Sequence, residues 1–219
     1  MLRHLILIPT EQERRVLSQV MAATIGGSTR MELCGFGMAV AAARTAQLVA
    51  ELSPARVLLV GIAGRLDDRL SLGEAYRFEK VSCYGIGVGT GSDFLSAESL
   101  GWQQWPGDPP APAVAIGDTL SCSTAADGVE PRSEQLLTVC AAAASEADVV
   151  ARKRMFPDAA AEDMEGFAVA VACQLERVPF EIIRGISNTA GDRNKAHWQV
   201  TGALEAAAEL AVRMMVNAS

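Results

Sequence analysis

The absences in this sequence narrow it first. It has no long run of lysine or arginine, and its formal net charge is −7. Proteins that track nucleic acid lay cations along phosphates, so neither a nucleic-acid partner nor an anionic membrane surface is expected. No apolar run is long enough to span a bilayer. Residues 1–8 are apolar but short and run at once into Pro9-Thr10-Glu11, which reads as a first strand rather than a signal peptide. The five cysteines are scattered and never spaced as C-x-x-C. That speaks against a zinc site or a disulfide framework and for reduced thiols in the cytoplasm. Only two histidines are present, His4 and His197, and G-x-S-x-G is missing, so a Ser-His-Asp hydrolase has no support. Gly35-Phe36-Gly37 lacks the third glycine of a dinucleotide fingerprint, because position 40 is valine. Taken alone it is a structural turn.

What is present reads as an α/β protein. Half of the 219 residues are hydrophobic, enough for a sizeable core. Apolar runs at 2–8, 30–34, 57–60, 75–81, 113–116, 135–140 and 180–186 predict strands. Helical spacing predicts helices at 10–21, 38–52, 145–155, 164–175 and 201–216. Thr10 with Glu13 three residues on has the spacing of a capping box, and Ser145 is placed to cap the third helix. Strands alternating with helices imply a mostly parallel sheet covered on both faces. The stretches 85–112 and 121–134 read as loops, and nothing marks a second domain.

The polar residues of interest sit in apolar surroundings. Asp163-Met164-Glu165-Gly166-Phe167 and Arg184-Gly185-Ile186-Ser187-Asn188 bring a carboxylate, an arginine and a carboxamide into otherwise buried helix and strand. Buried polar groups are costly unless paired, so these residues mark either internal ion pairs or a ligand site. For Glu165 the plain alternative is a salt bridge to Arg152 or Arg154. Gly61-Ile62-Ala63-Gly64 after an apolar strand reads as a tight turn where a ligand could sit. For Glu13 the plain alternative is the capping box itself. Its place just past the first strand also suits a catalytic base.

These segments together resemble the nucleoside phosphorylase and nucleosidase superfamily over nearly the whole chain, and within it the futalosine-hydrolysing branch. The Met-Glu-Gly and Arg-x-Ile-Ser-Asn pieces carry the superfamily likeness, and the stretch Ser187 to Arg193 with Trp198 carries the branch. The resemblance implies one three-layer α/β/α domain over residues 1–219 with a twisted, mixed central sheet. It also implies a homo-oligomer, a small nucleoside substrate, no cofactor and no metal. By analogy Glu13 is the base that activates water, Arg184 holds Glu13 and that water, and Asn188 reads the purine. Glu165 takes the ribose diol, and Ala63, Ser145, Met164 and Phe167 complete the substrate contacts. The implied reaction is hydrolysis of the N-ribosidic bond of futalosine with release of hypoxanthine, a step toward menaquinone.

Three other readings stand beside it: a methylthioadenosine/adenosylhomocysteine nucleosidase, a purine nucleoside phosphorylase, and a nucleoside-binding module without activity. The sequence departs from the family in two places. Ala141 to Ala144 replace larger residues beside the base, and the loop 85–91 is almost bare of acidic side chains.

Overall fold

The computed structural model describes residues 2–107, 115–123 and 131–217. Its main sheet has eight strands. In chain order these are β1 (His4–Ile8), β2 (Thr29–Leu33), β3 (Arg56–Arg65), β4 (Ala75–Tyr84), then, after a two-stranded ribbon of β5 (Gly87–Val88) and β6 (Leu95–Ser96), β7 (Thr119–Ser121), β8 (Arg132–Val139), β9 (Ala159–Asp163) and β10 (Phe180–Thr189). The helices are α1 (Glu11–Val20), α2 (Met38–Leu52), α3 (Glu146–Met155), α4 (Gly166–Leu175) and α5 (Val200–Asn217).

Strand alternation builds the three layers. Leu5, Leu7, Val57 and Leu59 face the core under α2 and α4. Their neighbours Ile6, Ile8, Leu58 and Val60 face the other core, under α1 and α5. The fold is therefore the expected three-layer α/β/α arrangement on a mixed sheet.

The organising feature is a fork in that sheet. β10 runs parallel to β3 along its length, from Val57 to Arg65. The other side of β3 is shared. Its first residues, 56–59, pair parallel with β1, and its last two, Gly64 and Arg65, pair antiparallel with β9. Because β9 also pairs with β8, β8 with β4 and β4 with β10, these strands close into a ring with β3. Residues 60–63 lie in the gap where β1 has ended and β9 has not begun.

Most expected elements appear within a residue or two of their predicted ends, and Thr10 and Ser145 cap α1 and α3 as read. Several expectations change. The segment 61–64 is no turn: it continues β3, hydrogen-bonded to β10. The helix predicted from 164 begins at Gly166, which leaves Glu165 at the N-cap position instead of inside the helix. β9 was not foreseen, and the stretch 85–112 contains a ribbon as well as loops. Half of the strand expected at 113–116 lies outside the described residues, and Ile116 makes an isolated bridge with Trp105.

The packing of α5 on the sheet depends on one glycine. A β-carbon on Gly185, in the middle of β10, would overlap the backbone carbonyl of Ala203 in α5. Backbone cannot swing away as a flexible side chain can. Gly185→Ala is therefore expected to lower stability by about 3 kcal/mol, at the upper end of overpacking costs. Urea unfolding should show a lower midpoint at an unchanged slope. A wild-type midpoint would mean that the helix rides easily over this strand.

Candidate active site

The fork opens into a cavity of about 520 Å³ at the carboxyl ends of β1, β3, β9 and β10. Of the residues expected from sequence, Glu13, Ala63, Met164, Glu165 and Asn188 line it. A larger depression of about 750 Å³, between α3 and the turn at Gly91–Asp93, holds none of them.

Glu13 shows how the capping and site readings of one residue coexist. Its Oε2 accepts from the backbone N–H of Thr10 (3.0 Å) and from the Thr10 hydroxyl (2.6 Å), and the Thr10 hydroxyl caps the Glu13 N–H in return. Its Oε1 accepts from the Ile62 amide at 3.2 Å. Ile62 lies in the gap of the fork, so its N–H has no strand neighbour on that side and the carboxylate takes the place of one. A carboxylate has roughly four acceptor positions. The three bonds fix its direction and leave room for one more.

Arg184 lies beneath the cavity rather than on its wall and is fully buried. It was expected to hold Glu13, but its carboxylate partners are Asp163 and Glu165. Nε reaches Asp163 Oδ2 at 3.0 Å, Nη2 pairs with the same oxygen, and Nη2 also approaches Glu165 Oε2 at 3.4 Å. Nη1 has no hydrogen-bond partner. It lies against Gly61, as Glu13 Oε1 does, and a β-carbon there would collide with both. Gly61 is what lets the guanidinium and the first-helix carboxylate approach the same patch of backbone.

Asp163 organises this floor. Besides Arg184 it accepts from the Thr138 hydroxyl (2.6 Å) and from the N–H of Gly166 (2.8 Å), and Thr138 in turn accepts from the N–H of Phe167 (2.7 Å). Two of the free amides that open α4 are thereby satisfied. Glu165, just before them, accepts from the Gly37 N–H at 3.0 Å. Gly35-Phe36-Gly37 is thus a turn, with φ of 91° at Gly35 and 81° at Gly37, and also a wall of the cavity through Phe36. Burial pushes the Glu165 carboxyl up to about 7 against the pull of Arg184, with the Asp163 charge adding to the rise. The anticipated partner Arg152 is spent on Glu162 and the Ala141 carbonyl.

Asn188 owes its aim to an irregularity. The β3–β10 register slips between Ile186 and Asn188, so Ser187 is a bulge and the Asn188 side chain comes to lie over Gly64. Its Nδ2 donates to the Thr189 carbonyl at 3.1 Å, and its Oδ1 lies 2.8 Å from the Ser187 hydroxyl. Turning the amide over would set its oxygen against the Thr189 carbonyl. The network therefore fixes the orientation and leaves one N–H and one lone pair free.

Two expected contacts do not reach the cavity. Ser145 is exposed, its hydroxyl engaged with Asp148 as the cap of α3. Phe167 is buried in the core shared by the sheet, α2 and α4. Conversely, Thr10, Ile62, Ala142, Ala143, Glu162, Ser187, Arg193, Lys195 and Trp198 line the cavity without having been assigned a contact. Ala142 and Ala143 come from the alanine run, and Ala143 is pinned by donating to Glu162 at 2.7 Å. Both histidines lie away from the cavity. His4 is buried in β1 with its charge suppressed to a pKa of about 4, mainly by burial, and His197 is an exposed partner of Asp192. Among the described residues no group of three or more histidine, cysteine, aspartate or glutamate side chains is placed to hold a metal, and no helix is long and apolar enough to cross a membrane.

Comparison with known proteins agrees with this geometry. The chain is 31% identical over 150 residues to the futalosine hydrolase of Streptomyces coelicolor, covering 68% of this chain and 60% of that protein. It is 30% identical over 162 residues to the 5′-methylthioadenosine/S-adenosylhomocysteine nucleosidase of Colwellia psychrerythraea, covering 72% and 65%. The chain thus spans about 60% of the length of the Streptomyces relative. Among solved structures, a futalosine hydrolase mutant of Helicobacter pylori superposes with a TM-score of 0.75 at 15% identity, covering 99% of each chain. The Neisseria meningitidis nucleosidase in complex with methylthio-immucillin-A superposes with a TM-score of 0.74 at 20% identity, covering 98% of this chain and 99% of that one. A model of the phosphorylase superfamily matches residues 8–218, and the chain belongs to that superfamily.

Proposed function

We propose that this protein is a purine nucleosidase that hydrolyses the N-ribosidic bond of futalosine and releases hypoxanthine, a step toward menaquinone. The observation that carries the reading is the convergence of Glu13, Glu165 and Asn188 on one cavity over the unsatisfied Nη1 of Arg184. The 219 residues act as one nucleosidase domain, in a homo-oligomer in the cytoplasm, with no cofactor and no metal.

Each group has a task that its surroundings suit. N-riboside cleavage passes through a cation-like sugar as electrons withdraw to the base. A floor made of Glu13, Asp163 and Glu165 around a single arginine favours such a cation. Glu165 accepts the hydroxyl protons of the 2′,3′-diol. Glu13, with one acceptor position free, takes the proton of the attacking water. The free Nη1–H of Arg184 lies close enough to Glu13 Oε1 for one water to touch both, so Arg184 positions the nucleophile although its ion pairs go elsewhere. The same carboxylates repel a phosphate nucleophile, which counts against a phosphorylase.

Asn188 separates the two nucleosidase readings. Its free N–H suits a 6-oxo group and its free lone pair suits a protonated N7. Against a 6-amino group the N–H would meet another donor. This favours hypoxanthine over the adenine of methylthioadenosine. A binding module without activity would have no use for an oriented carboxylate beside an unsatisfied guanidinium.

Two variants test the assignment by base release. Glu13→Gln should lower kcat on futalosine by about 10²–10⁴-fold, the usual worth of a general base, and leave binding nearly intact. A wild-type rate would reduce Glu13 to a helix cap. Asn188→Asp should shift the ratio of kcat/KM for futalosine over its 6-amino analogue by about one to two orders of magnitude toward the amine, since an unmatched buried polar group costs roughly 1–3 kcal/mol. An unchanged ratio would remove Asn188 from base recognition and, with it, the hypoxanthine assignment.

A further inference from the structure

Two cations at the cavity mouth have no part in the chemistry above. Arg193 and Lys195 are exposed and also line the cavity. Among the described residues neither has an ion-pair partner. The nearest acidic side chain in sequence, Asp192, is already occupied: it accepts from the Asn194 N–H at 2.8 Å and faces His197 Nδ1 at 2.7 Å. In a chain of net charge −7, two unpaired cations on one cavity rim ask for a partner. Trp198 lines the same cavity beside them. Its indole N–H is tied to the Asp192 carbonyl at 3.1 Å, and the Arg193 guanidinium sits 5.9 Å from its ring centre. Phe36, largely exposed, and Leu204 add apolar wall. The cavity therefore joins a carboxylate-rich floor to aromatic side chains and two exposed cations.

We infer that Arg193 and Lys195 form a subsite for an anionic group carried on the 5′ extension of the substrate, with Trp198 and Phe36 packing on an apolar or aromatic body between that anion and the ribose. The inference rests on the nucleosidase reading. In a purine nucleoside the base edge goes to Asn188, the diol to Glu165 and the anomeric carbon to the water, and the 5′ carbon alone is left to extend outward. A 5′ arm ending in a carboxylate meets complementary charge there. A neutral 5′-hydroxyl or methylthio group leaves both cations without a partner. Partial desolvation on binding makes such contacts worth more than an exposed ion pair. Arg193 and Lys195 are thus specificity-determining residues that separate acidic from neutral nucleosides.

The test compares futalosine, whose arm ends in an aromatic carboxylate, with inosine, which shares its base and ribose but ends in a hydroxyl. In Arg193→Gln/Lys195→Gln the ratio of kcat/KM for futalosine over inosine should fall by about tenfold or more, chiefly through KM. The wild-type ratio should fall with added sodium chloride while that of the variant stays flat. Charge reversal in Lys195→Glu should lower the ratio further. A second measurement separates this inference from the reading beneath it: calorimetric binding of both nucleosides to the Glu13→Gln protein. Tighter futalosine binding that is lost in the rim variant, without any base release by the wild type, would sink the hydrolase reading and sustain the subsite. Futalosine hydrolysis with a ratio untouched by the rim variant would sink the subsite and leave the hydrolase. Ribose 1-phosphate formed from inosine and inorganic phosphate, and lost in the rim variant, would assign the cations to phosphate and overturn the proposal.

Discussion

The site depends on one buried charge. Arg184 has no solvent to stabilise it, so the fold must hold carboxylates against it, since a lone buried cation is prohibitively costly. Asp163 supplies the main partner and Glu165 the second. Satisfying Arg184 fixes the start of α4, because the same Asp163 accepts from Gly166. It also fixes the orientation of Glu165, and through Glu165 the turn at Gly37. One ion-pair cluster thereby ties β9, β10, α4 and the entrance to α2 around a cavity. Burial first, and then the charges of Asp163 and Glu13, make Glu165 resist ionisation, while the excess of carboxylate over guanidinium suits the floor to a developing cation.

The sheet contributes through what it leaves unpaired. A continuous sheet would satisfy the Ile62 amide with a neighbouring strand. Because β3 changes partners from β1 to β9, that amide is free to orient Glu13. A glycine at position 61 then removes the side chain that would otherwise fill the space between Glu13 and Arg184. The bulge at Ser187 works in the same way on the other side of β3, where a break in register aims Asn188 over Gly64. The groups expected to react are placed by interruptions of regular structure, and the regular cores under α2 and α5 hold those interruptions still.

The sequence was legible where local rules act. The capping box of Thr10 and Glu13, the cap at Ser145, the apolar periodicity of α2 and α5 and the strands at β1 and β10 all follow from residue order. Pairings distant in sequence were not legible. β9 is three alanines and two acids, with none of the β-branched or aromatic composition that signals a strand; its neighbours β3 and β8 decide its state. Gly61 and Gly64 read as a turn because their use, close approach by Arg184, Glu13 and Asn188, is visible only once those chains meet. Phe167 was expected at the site through its motif, but, two residues beyond Glu165 in sequence, it faces the core instead. Arg193 ended the branch motif without a task of its own, and Lys195 was an unremarkable polar residue, until the chain leaving β10 folded both onto the cavity rim.

The central claim is that a carboxylate-walled floor directs water, and not phosphate, onto the anomeric carbon. The most direct measurement is futalosine turnover in ¹⁸O-labelled water with inorganic phosphate present, followed by mass spectrometry of the sugar product. The account predicts one labelled oxygen in the sugar product for each hypoxanthine released, whatever the phosphate concentration. An unlabelled sugar 1-phosphate, or no base release at all, would contradict it.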